Sequence, residues 1–176
     1  MIEMKGHNTL FSKASDEWST PQWLFDMLDG EFHFDVDAAT TDVNTKCFFH
    51  FDDALDRPWY EDGELEKELN AIGQRAAKIF FLNPPHSLIK QFMKKAYEES
   101  LKGAVVVCLI PCRTDTRYWH NYVMMAHEIR FIMGRLKFGD SKNSAPFPSC
   151  IVVFDHNKYD KNNDPVFKTL KQPVKV

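Results

Sequence analysis

Residues 79–86 read Ile79-Phe80-Phe81-Leu82-Asn83-Pro84-Pro85-His86: four apolar residues in a row, then an amide, two prolines and an imidazole. A continuous apolar run of this length is the pattern of a strand buried on both faces, as in a parallel sheet covered by helices. Two prolines stop the strand, because neither can donate to a ladder. After Ser87, read as an N-cap, Ile89, Phe92, Met93 and Ala96 fall on one helical face, and Gly103 closes the helix. Residues 104–110, Ala-Val-Val-Val-Cys-Leu-Ile, are then a second fully apolar strand. Strand, helix, strand is the unit of an open α/β sheet.

The same alternation extends in both directions. Upstream, Thr20-Pro21 reads as a hydroxyl N-cap with proline at the first helical position, opening a short helix that ends near Gly30. Phe32 to Asp37 alternates apolar and polar residues and breaks into the turn Ala38-Ala39-Thr40-Thr41, and Cys47 to Phe51 reads as another strand. Leu65, Leu69, Ile72 and Ala76 predict an amphipathic helix over 64–78. Downstream, 115–126 reads as a helix, and 129–132 and 150–154 read as strands. The fold class expected is α/β, with an open, mainly parallel sheet flanked by helices. Residues 1–17 read as a flexible N-terminal segment, 18–154 as the folded domain and 155–176 as a poorly ordered polar tail.

The bulk properties narrow the function classes. The 176 residues are 44% hydrophobic and 27% charged, an ordinary globular balance. No apolar run approaches the ~20 residues of a membrane span, and no secretory leader is visible, so a cytoplasmic protein without a membrane partner is expected. A net charge of −3 gives no global argument for nucleic acid, so any such contact must come from local basic patches. Cys47, Cys108, Cys112 and Cys150 stand singly, as reduced thiols in or near the core. His120 and His127 have no third ligand nearby, and no metal is expected.

Open α/β sheets build their sites beyond the carboxyl ends of strands, where Asn83-Pro84-Pro85-His86 sits. Methyl transfer to an aromatic amine faces a nitrogen lone pair delocalised into the ring. A site for it needs acceptors that hold the N–H groups and favour a pyramidal nitrogen. The Asn83 amide oxygen and the Pro84 carbonyl can serve, with the rigid prolines holding both in place.

This turn resembles the catalytic motif of amino-methyltransferases, Asp, Asn or Ser followed by Pro-Pro and an aromatic residue. Nearly the whole chain from Trp18 to Phe154 is similar to the phage-encoded DNA N6-adenine methyltransferases related to Dam. The matching blocks are Trp18-Ser19-Thr20-Pro21, Asp35-Val36-Asp37-Ala38-Ala39, Asp52-Asp53-Ala54-Leu55 with Trp59, Asn83-Pro84-Pro85, Leu109 to Thr114, and Gly134 to Phe138 with Ala145 to Ser149.

The resemblance implies a Rossmann-like class I methyltransferase fold, S-adenosylmethionine as cofactor and DNA as partner. The implied protein is a monomer or weak dimer, in host-cell cytoplasm if phage-encoded. Trp18, Thr20, Pro21, Asp37, Ala38 and Ala39 would form the cofactor site, with Asp53 accepting from the cofactor's adenine amine. Asn83, Pro84, Pro85 and His86 would form the catalytic site for a flipped base, with His86 in place of the family's usual aromatic residue. Alanines stand where methyltransferases usually carry a glycine-rich turn after the first strand.

Arg113, Arg117, Arg135 and Lys137 are the candidate DNA-binding residues, aimed at phosphates, although solvated surface charge is the ordinary fate of such side chains. The alternatives are methylation of cytosine N4 or of a protein glutamine, and a catalytically silent DNA-binding protein that keeps the fold.

Overall fold

The computed structural model describes residues 18–60, 63–73, 76–139, 141–160 and 164–173. The flexible segment expected over 1–17 lies outside the described residues. Seven strands, β1 (Val36–Asp37), β2 (Phe49–His50), β3 (Ile79–Leu82), β4 (Val105–Pro111), β5 (Glu128–Met133), β6 (Ser149–Asp155) and β7 (Val166–Lys171), form one sheet. Their order is β2-β1-β3-β4-β6-β5-β7. Neighbours run parallel from β2 through β4. Strand β6 is antiparallel to both β4 and β5, and β7 is parallel to β5, so β6 alone is reversed. The mainly parallel α/β sheet expected from the apolar runs is the one observed.

Side chains alternate across this sheet, as the period of two requires. Phe80, Leu82, Val106, Cys108, Ile110, Val152 and Phe154 face one layer. That layer holds α2 (Gly63–Ala71), α3 (Ile89–Lys102) and α4 (Arg117–Asn121). Phe81, Val107, Leu109, Ile151 and Val153 face the other, beneath Leu24, Phe25 and Leu28 of α1 (Gln22–Phe32). Each buried Phe, Leu or Met contributes about 1.5–3 kcal/mol relative to exposure, which is why the continuous apolar runs settle in the middle of the sheet.

Several boundaries differ from the expectation for definable reasons. Pro21, not Thr20, occupies the N-cap position of α1 and makes no side-chain cap. Ser87 lies within a 3-10 turn, His86–Leu88, and does not cap α3. The helix expected over 64–78 ends at Ala71, leaving Ile72 55% exposed. The helix expected over 115–126 divides into α4 and a 3-10 turn, Val123–Met125. Gly103 closes α3 as expected, with φ 118° and its N–H donating to Ser100 O at 3.1 Å. The largest difference is β7: the polar segment after 155 contributes an edge strand, paired with β5 along Glu128–Met133.

Candidate active site

The sheet changes direction of winding between β1 and β3. From β1 the chain moves outward to β2, then returns to add β3 on the opposite side. Loops diverge at such a switch point and leave a crevice beyond the carboxyl ends of the strands. The crevice is open to solvent on one side and is lined by residues from three separate parts of the chain. Its lining draws on Trp18 and Thr20 before α1, on Asp37 and Ala39 at the end of β1, and on Asn83 and Pro85 after β3.

Register explains the convergence. Asp37 is the pairing partner of Phe81. Phe81 faces the α1 layer, so Asp37 shares that face, and Asn83, two residues beyond Phe81, returns to it. Two side-chain contacts then fix Asn83, whose Nδ2 donates to Trp18 O at 2.5 Å and to Thr20 Oγ1 at 3.0 Å. A carbonyl oxygen can only accept, so the amide nitrogen must face Trp18 and the amide oxygen must point away. No donor among the described residues reaches that oxygen. The Pro84 carbonyl is likewise left out of the following turn, which begins with Leu88 N–H donating to Pro85 O at 3.0 Å.

Asp37 is the electrostatic anomaly of the crevice. It is 3% exposed, its Oδ2 accepts from Lys46 N–H at 3.0 Å, and its Oδ1 is buried without a partner among the described residues. Burial pushes its pKa up to about 6 against the pull of the Lys46 N–H. The Ala39 N–H eases the charge without completing a hydrogen bond. A buried carboxylate with one unsatisfied oxygen, in a crevice, is a site for a ligand donor. Lys46 also lines the crevice, with its Nζ held by Gln22 Oε1 at 2.9 Å. Sequence reasoning missed this residue, because only the fold of the β1–β2 connection brings it back to Asp37.

His86 lies beside the crevice in an aromatic cluster. Its ring stacks on Trp18, with centroids 5.6 Å apart and 20° between planes, and meets Phe147 edge-on at 4.8 Å. Phe138 meets Trp18 edge-on at 5.2 Å. Phe138 and Phe147 belong to a segment that folds over the α1 face, where Gly139 N–H donates to Ser19 O at 2.9 Å. Gly139 has φ 51°, a conformation that favours glycine at this junction.

The remaining residues fall at graded distances from the crevice. Pro21 heads α1, while Pro84 and Ala38 are buried beside it without lining it. Asp53 does not line it either; its Oδ1 faces Arg57 Nη1 at 3.3 Å, four residues further along the chain. Arg113 follows the carboxyl end of β4, and Arg135 and Lys137 follow that of β5, so all three share the sheet edge that carries Asn83. Arg117 opens α4 beyond the same edge, and all four basic side chains are exposed.

The sequence profile of the DNA N-6-adenine-methyltransferase (Dam) family matches residues 7–175. A protein of Escherichia phage T1 named DNA N-6-adenine-methyltransferase is 29% identical over 132 residues, covering 73% of this chain and 49% of the phage protein. The chain thus spans about half the length of the curated relative it matches. With the family profile covering nearly the whole sequence, the chain belongs to the DNA N-6-adenine-methyltransferase (Dam) family.

Proposed function

We propose that this chain transfers a methyl group from S-adenosylmethionine to the N6 amine of adenine in DNA. The observation that carries the reading is the fixed orientation of Asn83, whose amide nitrogen is tied to Trp18 and Thr20 while its oxygen stays open to a donor. The family match and the phage relative support adenine as the base. The open, mainly parallel sheet with helices on both faces supports a Rossmann-like class I methyltransferase fold.

The residues present fit the cofactor. Asp37 offers a buried, unsatisfied carboxylate oxygen to a hydroxyl or ammonium donor, and Ala38-Ala39 allows close backbone approach. Thr20 and Pro21 would close the same wall, with Asp53 further out. When bound, S-adenosylmethionine supplies a methyl group activated by a cationic sulfonium. The protein's part is alignment and electrostatics. Asn83 Oδ1 and the Pro84 carbonyl accept the two amine protons, drawing the nitrogen lone pair out of conjugation. Once methylated, that nitrogen is acidic and loses its proton to solvent, so Asn83 need not act as a base.

A stacked base cannot reach such a crevice, so the target nucleotide must leave the duplex. His86, backed by Trp18, would offer its ring to that base. Arg113, Arg117, Arg135 and Lys137 would hold phosphates along the sheet edge, fixing register without reading sequence. No described helix is long and apolar enough to cross a membrane. We place the reaction in the cytoplasm, that of the host cell if the chain is phage-encoded, by a monomer or weak dimer.

The test is product analysis. Duplex DNA is incubated with the protein and methyl-labelled S-adenosylmethionine, digested to nucleosides and examined by mass spectrometry. N6-methyladenine is expected. Label in N4-methylcytosine or in protein glutamine, or cofactor binding with no transfer to DNA, would contradict the reading.

A further inference from the structure

Thr20 lies one residue before the N-cap position of α1, which Pro21 occupies, and the helix has no side-chain cap. The Thr20 hydroxyl therefore does not serve as the helix cap that Ser and Thr often provide, and its partner lies in another part of the chain. The hydroxyl is 3.0 Å from Asn83 Nδ2, in a side chain only 4% exposed. Its neighbour Trp18 presents a carbonyl to the same nitrogen. Each acceptor faces one proton of the Asn83 amide group.

We propose that Thr20 is a positioning residue for methyl transfer: with the Trp18 carbonyl it locks the Asn83 amide so that Oδ1, and never Nδ2, faces the target amine. The inference rests on Asn83 being the amine acceptor. An amide free to rotate about its last torsion would present a donor to a donor for part of the time. The Trp18 carbonyl alone breaks the symmetry, and the Thr20 hydroxyl holds the plane of the amide. Thr20 therefore acts on the rate of transfer rather than on the affinity of the cofactor whose crevice it lines.

The pair of acceptors also discriminates at position 83. A carboxylate there would put one oxygen against the Trp18 carbonyl with no proton between them. Asn83→Asp is thus expected to lose activity near neutral pH in this chain, where Thr20 can reverse to donate but Trp18 O cannot.

The experiment compares Thr20→Val, which keeps shape and removes the hydroxyl, with Thr20→Ser, which restores it, in the full chain. Thr20→Val is expected to lower kcat roughly three- to tenfold, the effect of one hydrogen bond, with little change in S-adenosylhomocysteine Kd. Thr20→Ser should restore most of the rate. Independently of turnover, the Asn83 side-chain amide protons, identified by NMR from their loss in Asn83→Ala, should exchange faster in Thr20→Val than in the parent or Thr20→Ser.

Unchanged amide exchange in folded Thr20→Val would overturn the proposal. So would a loss of cofactor affinity at constant kcat, or a Thr20→Ser protein as slow as Thr20→Val. If Asn83→Ala itself turns over normally, the acceptor reading falls and takes this one with it. If Asn83→Ala is inactive while Thr20→Val is normal in rate and exchange, the positioning role alone fails.

Discussion

The indole of Trp18 and the imidazole of His86 are stacked, 5.6 Å between centroids and 20° between planes, so the His86 ring covers the indole and is not isolated. The same Trp18 holds Asn83 through its backbone carbonyl. One residue thus joins the side chains of Asn83 and His86 at the two ends of the Asn83-Pro84-Pro85-His86 turn, and disturbing either should be felt by the other.

From this arrangement, His86→Ala should slow methyl transfer and alter Trp18 fluorescence, since it removes the ring that covers the indole. Base–aromatic stacking is worth about 1–3 kcal/mol by alanine substitution. His86→Tyr, which restores a larger ring, should retain or raise the rate. Initial rates and emission spectra of the three proteins check this, and a fully active His86→Ala protein would remove His86 from the site.

Asp37 should make stability and binding respond to pH in opposite directions. Its folded pKa of about 6 lies above the ordinary carboxyl value of 3.8, so the folded state holds the proton more tightly. Stability from this group is full below about pH 4 and is lost as pH rises through about 6, with no further loss above it. Asp37→Asn should therefore raise the neutral-pH stability of the ligand-free protein, by at most about 3 kcal/mol. The same substitution should weaken cofactor binding, and in the parent that binding should weaken as pH falls below about 6. Thermal unfolding and S-adenosylhomocysteine titration across pH 4–8 test both signs.

Arg130 ties the sheet to α1. Its guanidinium is bidentate to Glu31, at 2.6 Å from each nitrogen, and also binds Glu128. Glu128 in turn holds Lys168 of β7 at 2.5 Å. Glu128 is buried while Glu31 is half exposed, so Arg130→Ala should destabilise by about 2–3 kcal/mol, below the 3–5 of a fully buried pair. Urea unfolding measures it, and local exchange in β7 should rise more than in β4.

The basic edge predicts a salt signature. Arg113, Arg135 and Lys137 follow the carboxyl ends of β4 and β5, on the side of the sheet that carries Asn83. Replacing each by Ala should weaken binding to all DNA sequences and reduce the salt slope by about one unit per phosphate contact. A triple variant binding like the parent over a range of salt would show that DNA docks elsewhere.

The parts legible in the sequence were those where one local rule acts alone. Ile79 to Leu82 could only be a buried strand, Pro84-Pro85 could only end it, and Gly103 could only close α3. Residues with competing uses were less legible. Thr20 reads as a cap, but its hydroxyl goes to Asn83, a partner 63 residues away. Strand β7 was hidden because an edge strand has few buried positions: Val166 to Thr169 and Lys171 are exposed and only Leu170 is buried. Lys46, Phe138 and Phe147 reach the crevice and its rim through loops, for which no periodicity exists to be read. Asp53 was placed by resemblance in the cofactor site, whereas its described contact is the local pair with Arg57.

The central claim, that the Asn83 amide oxygen receives the target amine, is tested most directly by single-turnover methyl transfer to DNA by Asn83→Ala, measured beside its Kd for S-adenosylhomocysteine. Deleting one group from a preorganised electrostatic site costs on the order of 10²–10³ in rate. The account predicts a loss of that size with cofactor affinity and folding unchanged, because the crevice keeps Asp37 and its unpartnered carboxylate oxygen. A folded Asn83→Ala protein that transfers methyl groups at the parent's rate would contradict it.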